Sequence, residues 1–343
     1  MRFSIKKIPL GSIPQMLLAG IMSGIFIYLF FEPAIANFIL GFLIGLQSYF
    51  YISSFETIVK PRLSKRNFFL ALITSTLAHI LLIILAVFVS LIFFSEFRVF
   101  DVLRNFKEIL LSDAMISGVT FGLTLSFIFN SYSMFEMLLG KHFLFKLFTG
   151  KYHTPFEEER VFMFLDLKGS TAVAEKLGHR EFLNMLNDFF YDVSMAVSDT
   201  KGEIYKYVGD EAIITWKMKK VVGKPLPLDC FFMIKNLVEV NRSKYIKLYG
   251  LVPEFKAGLH GGTVVTGEMG YVKKEIAFLG DVLNTTARIE ALCNQLEKSL
   301  LISDTLLKTM NVQEKYEIVS MGEHVLRGKQ KAVVISAISL LEN

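Results

Sequence analysis

Two cysteines in 343 residues, Cys230 and Cys293, are too few for a disulfide framework and fit no thiolate metal cluster. They suit a reducing compartment and are expected as buried thiols. A dominant charge is missing as well. The 37 basic and 32 acidic residues leave a net charge of +5, and much of the excess lies beside apolar segments, so nothing points to a nucleic-acid partner. Charge of either sign is absent from long stretches of the first 140 residues, where Leu, Ile, Phe, Ala, Val and Met dominate. After about residue 150, charges recur at every helical turn. This contrast divides the chain into an apolar domain (1–140), a linker (141–159) and a soluble-type domain (160–343).

Four apolar stretches, at about 13–31, 35–54, 68–94 and 113–134, each reach the ~20 residues a helix needs to cross a bilayer. They predict an α-helical membrane bundle of four transmembrane helices, with the lipid bilayer as partner. No small-residue cleavage site follows the first stretch and the second begins at once, which argues against a cleaved signal. Glu32-Pro33 marks a sharp turn without Lys or Arg. By contrast, Arg2, Lys6 and Lys7 precede the first span, and Lys60, Arg62, Lys65 and Arg66 separate the second from the third. This bias places both termini in the cytoplasm and makes the chain a multi-pass protein of the cell membrane. His79, near the middle of the third span, is expected as a neutral histidine hydrogen-bonded within the bundle, with a ligand or ion-sensing role as the rarer alternative. The linker carries Phe143, Leu144, Phe145, Leu147 and Phe148 near its start, as an amphipathic segment at the membrane surface would.

The remainder alternates strand and helix patterns. Val161–Leu167 reads as a buried strand running into Gly169 and Ser170, with Ser170 able to cap the helix that follows. Phe182, Leu186, Phe189, Val193 and Val197 recur at helical spacing over 180–199. Glu203–Val208 and Ala212–Trp216 read as a hairpin closed at Gly209-Asp210, and 227–248 as a helix. Phe255–His260 and Thr263–Gly267 read as a strand pair around Gly261-Gly262. A helix over about 282–296 and short strands within 318–338 complete an α+β domain with a mostly antiparallel sheet.

Asp166 and Asp210 each end a strand close to a glycine. One alone is ordinarily a turn former, but two carboxylates at adjacent strand ends suit a pair of divalent metals and in-line displacement at phosphorus. Gly169, Ser170 and Thr171 open a helix whose first amides suit a phosphate chain.

Four blocks occur in order: Phe164-Leu-Asp-Leu-Lys-Gly-Ser-Thr171, Lys206-Tyr-Val-Gly-Asp210, Gly280-Asp-Val-Leu-Asn-Thr-Thr-Ala-Arg288 and Leu326-Arg-Gly-Lys329. Together they resemble the catalytic domain of class III adenylyl and guanylyl cyclases over roughly 158–340. The resemblance implies a ferredoxin-like α+β fold acting as a homodimer with two divalent ions, Mg²⁺ or Mn²⁺, held by Asp166 and Asp210. It further implies that Asn284 orients the ribose, Arg288 neutralises the pentavalent transition state, Arg327 meets the outer phosphates, and Lys206 meets adenine N1. The metal aspartates would come from one protomer, with Lys206, Asn284 and Arg288 from the other. An ammonium at Lys206 opposes the N1–H of guanine, so ATP is the expected substrate and cyclic AMP the product. The family's second base-selecting position, seven residues before Asn284, usually holds Asp or Thr and here holds Ala277. A backbone carbonyl near Phe278 is the expected substitute. The alternatives are a guanylate cyclase and a catalytically silent nucleotide-binding receptor. A diguanylate cyclase is disfavoured because that family lacks Asn-x-x-x-Arg at 284–288, and a transporter because the spans carry no charged pathway.

Overall fold

The computed structural model describes residues 13–30, 34–58, 68–94, 150 and 152–341 apart from 273, 313–314 and 328–330, plus isolated helical positions between 116 and 131. The chain forms two compact units, Met1–Leu139 and Gly140–Asn343.

In the first unit the uncharged stretches form helices α1 (Ile13–Phe30), α2 (Ile35–Ile58) and α3 (Phe68–Phe94). Helices α1 and α2 meet at small residues: a side chain on Gly41 would come within 2.7 Å of the Ser23 carbonyl oxygen. His79 is buried, as are Ser75 and Thr76 one turn earlier on α3. Among the described residues one helix, over Ile35–Ser54, is long and apolar enough to cross a membrane. The apolar helices Met16–Leu29 and Ile73–Val89 are shorter than that measure. Most of the fourth expected span, the Glu32-Pro33 turn, the basic loop at 59–67 and linker residues 141–149 lie outside the described residues.

The second unit is an α+β layer structure. In chain order its elements are β1 (Phe156–Leu167), α4 (Ser170–Leu177), α5 (His179–Asp199), β2 (Glu203–Val208), β3 (Glu211–Lys217) and α6 (Met218–Val221). There follow α7 (Leu226–Val240), α8 (Arg242–Tyr249), β4 (Phe255–Met269), β5 (Glu275–Leu279), α9 (Asp281–Gln295), β6 (Leu300–Ser303), α10 (Asp304–Leu307), β7 (Tyr316–His324) and β8 (Val333–Leu340). The sheet order is β2-β3-β1-β4-β6-β8-β7, with β5 paired to β4 off this path. Pairing is antiparallel except for β4 with β6, which is parallel.

Strand β1 explains the layering. Val161, Met163, Leu165 and Leu167 enter the main core with Phe189 and Val193 of α5 and Phe231 of α7. Phe162 and Phe164 enter a second cluster with Ile213 of β3, Val264 of β4, Phe278 of β5 and Val282 of α9. Alternate side chains therefore bury on opposite faces, as the two-residue period of a strand requires. Trp216 and both cysteines are also buried, and the burial pushes each thiol up to about 12.

Three local expectations are corrected. Segment 255–269 is one continuous strand, β4, rather than a strand pair turning at Gly261-Gly262. Those glycines serve close packing: a side chain on Gly261 would lie 2.8 Å from the Met218 methyl, and one on Gly262 would lie 3.0 Å from Val282. The chain reverses after Met269 instead, where β5 pairs back onto β4. Ser170 does not cap α4; Gly169 occupies the cap in the left-handed region (φ 65°), with no side-chain cap bond. Segment 227–248 is two helices that meet at Asn241.

Helix α9 lies directly on β4 at Gly258, where an added side chain would strike the Glu290 backbone, 2.7 Å from its Cα. Beside this contact Lys256, 6% exposed, bridges the Glu290 carboxylate at 2.5 Å and Asp166 at 3.3 Å. Gly258→Ala should destabilise this unit by about 1–3 kcal/mol through the backbone clash, read as a lower melting temperature by Trp216 fluorescence. Lys256→Met, which leaves the buried Glu290 carboxylate without its cation, should cost about 3–5 kcal/mol by the same measurement. Lys256→Met with Glu290→Leu should recover much of that loss.

Candidate active site

The two-residue period carries the second face of β1 forward from Phe162 and Phe164 to Asp166, which pairs in register with Lys256 of β4. Lys206 pairs with Ile213, which belongs to the same second cluster. Paired residues point to one side of a sheet. Asp166 and Lys206 therefore rise from the sheet face that α9 and β5 partly cover.

At the end of β1 burial pushes the Asp166 carboxyl above its ordinary value, reinforced by the negative charges of Asp210 and Glu290 and opposed by Lys256. Asp210 stands in the β2–β3 turn after Gly209, whose φ of 64° is the left-handed conformation the reversal needs. The next residue, Glu211, is pushed up to about 7 by burial and by the charges of Glu290, Asp166 and Asp210. The charges of four carboxylates, Asp166, Asp210, Glu211 and Glu290, thus act on one another, with the Lys256 ammonium, in contact with Asp166 and Glu290, opposing them.

Among the described residues no three His, Cys, Asp or Glu side chains form a ready-made metal cluster. Asp166 and Asp210 nonetheless fit divalent ions as a donor set. Mg²⁺ is commonly held by one or two carboxylates, with substrate phosphates supplying other ligands, and the mutual repulsion of these two is what such an ion relieves. Next to Asp166, α4 begins at Gly169, and its first helical bond runs from the Val173 N–H to the Gly169 carbonyl at 3.1 Å. The amides of Ser170 and Thr171 precede that bond and are available to an anion.

Lys206 owes its direction to a β-bulge: the β2–β3 register skips a residue between Ile204 and Lys206. Such a bulge re-aims side chains, and here Tyr205 and Lys206 both reach β5. The Tyr205 ring meets the Phe278 ring edge-on at 4.9 Å, and its hydroxyl accepts from the Phe278 N–H at 3.5 Å. Lys206 Nζ lies 5.4 Å from the centre of the Tyr205 ring and donates to Glu275 Oε2 at 2.5 Å. That bond raises the lysine's pKa. Below, the buried Arg160 guanidinium stacks on Phe278 at 4.8 Å and is held by Glu158 at 3.1 Å and Glu203 at 3.3 Å. Ala277 is buried and brings no polar side-chain atom to this corner.

Asn284 and Arg288 stand one turn apart on α9, Asn284 exposed and Arg288 half-buried. Arg288 makes no hydrogen bond or ion pair with another described residue. Arg327 is exposed in the β7–β8 connection and likewise unbonded to the other expected site residues. The structure thus groups Asp166 with Asp210 and the start of α4, and brings Lys206 to β5, the strand of Ala277 and Phe278, through Glu275. It adds Tyr205, Lys256, Glu275 and Glu290, which the sequence motifs do not mark. Only a charged residue inside the apolar pattern of α9 hints at Glu290, and the pairing of Lys206 with Glu275, 69 residues apart, leaves no local signal.

The comparisons with known proteins bear on the family and the fold. Residues 153–337, just over half of the chain, match the model of the adenylate and guanylate cyclase catalytic domain. The chain is 40% identical over 200 residues to adenylate cyclase 2 of Rhizobium meliloti (strain 1021), an overlap covering 58% of this chain and 55% of that protein. It is 27% identical over 184 residues to an adenylate cyclase of Anabaena cylindrica, covering 50% and 35%. The chain thus spans about half the length of the first relative and about a third of the second. The structure of a bacterial light-regulated adenylyl cyclase superposes with a TM-score of 0.54 at 21% identity, covering 67% of each chain, a likeness of fold. With the family's domain model matched across the whole α+β unit from the start of β1 into β8, this chain belongs to the adenylate and guanylate cyclase catalytic-domain family.

Proposed function

We propose that this protein is a membrane-anchored adenylate cyclase that converts ATP to 3′,5′-cyclic AMP and pyrophosphate at a homodimer interface. The observation that carries this reading is the bulge at Tyr205, which turns Lys206 toward β5 on the same sheet face as Asp166. An ammonium there donates to the N1 acceptor of adenine, whereas the N1–H of guanine would face it as a second donor.

Asp166 and Asp210 of one protomer hold two divalent ions, and the amides of Gly169, Ser170 and Thr171 receive the phosphate chain. Such ions, when bound, supply acidification of the ribose 3′-hydroxyl and charge neutralisation at the α-phosphate. The 3′-oxygen gives its proton to solvent water and attacks the α-phosphorus, and the bond to the bridging oxygen breaks, its electron pair leaving with pyrophosphate. From the partner protomer Asn284 orients the ribose, Arg288 meets the charge that develops in the transition state, and Arg327 meets the outer phosphates. Homodimerisation is supported by the β4–β5 tip, where Tyr271 and Val272 are 96% and 99% exposed, apolar surface that suits burial against a second copy. Residues 1–140 act as the four-span anchor with both termini cytoplasmic, and the residues from 141 to the start of β1 at Phe156 connect the anchor to the cyclase domain and pass regulation from it.

The test is a product assay on the detergent-solubilised full chain, with ATP or GTP and Mg²⁺ or Mn²⁺, resolved by mass spectrometry. Cyclic AMP is expected from ATP and none from Asp210→Ala. Arg288→Ala should lower kcat roughly 10²–10³-fold while ATP affinity changes only a few-fold. Equal losses of binding and turnover would remove Arg288 from its role, and cyclic GMP as the main product would reverse the purine assignment.

A further inference from the structure

The family position that usually accepts a hydrogen bond from the adenine amino group is Ala277, whose methyl accepts nothing. Strand geometry offers a replacement. Glu275 lies two residues earlier on β5, so its side chain leaves the same strand face as that of Ala277. Its carboxylate is already engaged with the purine-selecting lysine, Glu275 Oε2 lying 2.5 Å from Lys206 Nζ. Phe278 and Ile276 belong to the opposite alternation, and Phe278 is packed between Tyr205, Phe162 and Arg160. Among the side chains of β5, Glu275 alone places a carboxylate beside Lys206.

We infer that Glu275 is the second purine-selecting residue of this enzyme, a carboxylate that takes over the role Ala277 leaves unfilled. The inference rests on the adenylate cyclase reading above. An ammonium has three hydrogens and a carboxylate about four acceptor sites, so the Lys206–Glu275 bond leaves each group capacity for a base. The lysine side chain is 39% exposed and the glutamate 32%, so the pair is open on one side. It presents a donor next to an acceptor. Adenine offers the complement, the N1 acceptor beside the 6-amino donor. Guanine offers the reverse, with N1–H toward the ammonium and O6 toward the carboxylate, so both contacts are lost and two like groups face each other. The Tyr205–Phe278 ring contact joins the two strands that carry the pair, and Arg160 ties both together through Phe278 and Glu203.

A surface ion pair of this exposure contributes little to folding, so its removal tests specificity rather than stability. The experiment uses the detergent-solubilised full chain as wild type, Glu275→Ala, and a double variant that combines Glu275→Ala with Ala277→Asp. Two readouts are taken: kcat/KM for ATP against GTP, and equilibrium binding of 3′-deoxy-ATP against 3′-deoxy-GTP, which lack the attacking hydroxyl. Glu275→Ala is expected to lower the preference for adenine by roughly tenfold or more in both, with an unchanged melting temperature. The double variant, whose new carboxylate leaves the same strand face, is expected to regain most of it. An adenine preference within about twofold of wild type in Glu275→Ala would overturn the inference, as would a loss that accompanies a lower melting temperature and persists in the double variant. Absence of any cyclic product from the wild type would sink the cyclase reading. In that event the deoxynucleotides still decide Glu275: adenine preference in wild type but not in Glu275→Ala upholds it, and no preference in wild type refutes it.

Discussion

Between Val161 and Leu165, strand β1 has no face toward water. One set of its side chains is sealed under α5 and α7 and the other under α9 and β5, so a shift of a single residue would send Phe162 and Phe164 into the main core and Met163 out of it. That double burial locks the register, and the locked register fixes Asp166 opposite Lys256 on one side and Leu165 opposite Ala212 on the other. The strand end, the β2–β3 turn and the start of α4 then converge without further adjustment. The geometry of the acidic corner is thus inherited from hydrophobic packing in the layer beneath it.

The acidic corner itself is electrostatically underfilled. Lys256 serves Asp166 and Glu290 at once, while Asp210 and Glu211 add charge nearby, and the outcome is a pair of carboxyls, Asp166 and Glu211, held above their ordinary values. Burial is the first cause in both and like-charge repulsion the second, and a cation of high charge density beside them would favour the ionised form of each. At the corner around Lys206 the opposite arrangement holds. There each charge has a partner: Lys206 has Glu275, and Arg160 has Glu158 and Glu203.

Elements whose identity depends on periodicity are legible in the sequence. The hairpin at Gly209-Asp210 and the helix over 180–199 stand where the pattern puts them, while the strand at 161–167 is the buried part of β1, which begins earlier, at Phe156, in the stretch expected as linker. Where tertiary contacts override local signals, the pattern misleads. Two adjacent glycines normally announce a turn, yet Gly261 and Gly262 lie mid-strand because Met218 and Val282 crowd them. Strand β5 is short and carries no clear alternation, so nothing in its composition marks it. The Lys206–Glu275 and Lys256–Glu290 pairs depend on a bulge and on a helix crossing, neither of which is written in local composition. In the first unit the first three apolar runs coincide with α1, α2 and α3, but hydropathy alone says nothing of how far each apolar stretch stays helical. Over the described residues only Ile35–Ser54 reaches crossing length.

The pairing of β1 with β4 joins residues about 90 positions apart, as between Asp166 and Lys256. A ribosome adding ~5–20 residues per second therefore leaves one edge of β1 without its neighbour for on the order of 5–20 s after the strand emerges. The β2–β3 hairpin can guard the other edge only in the later part of that interval, because β3 pairs with β1 across about 50 positions, as between Phe164 and Ile213. Throughout it Phe162 and Phe164 have neither β5 nor α9 to cover them. For a chain whose first unit is made earlier, this uncovered hydrophobic edge is the point in biosynthesis at which mispairing with a second nascent copy competes with folding.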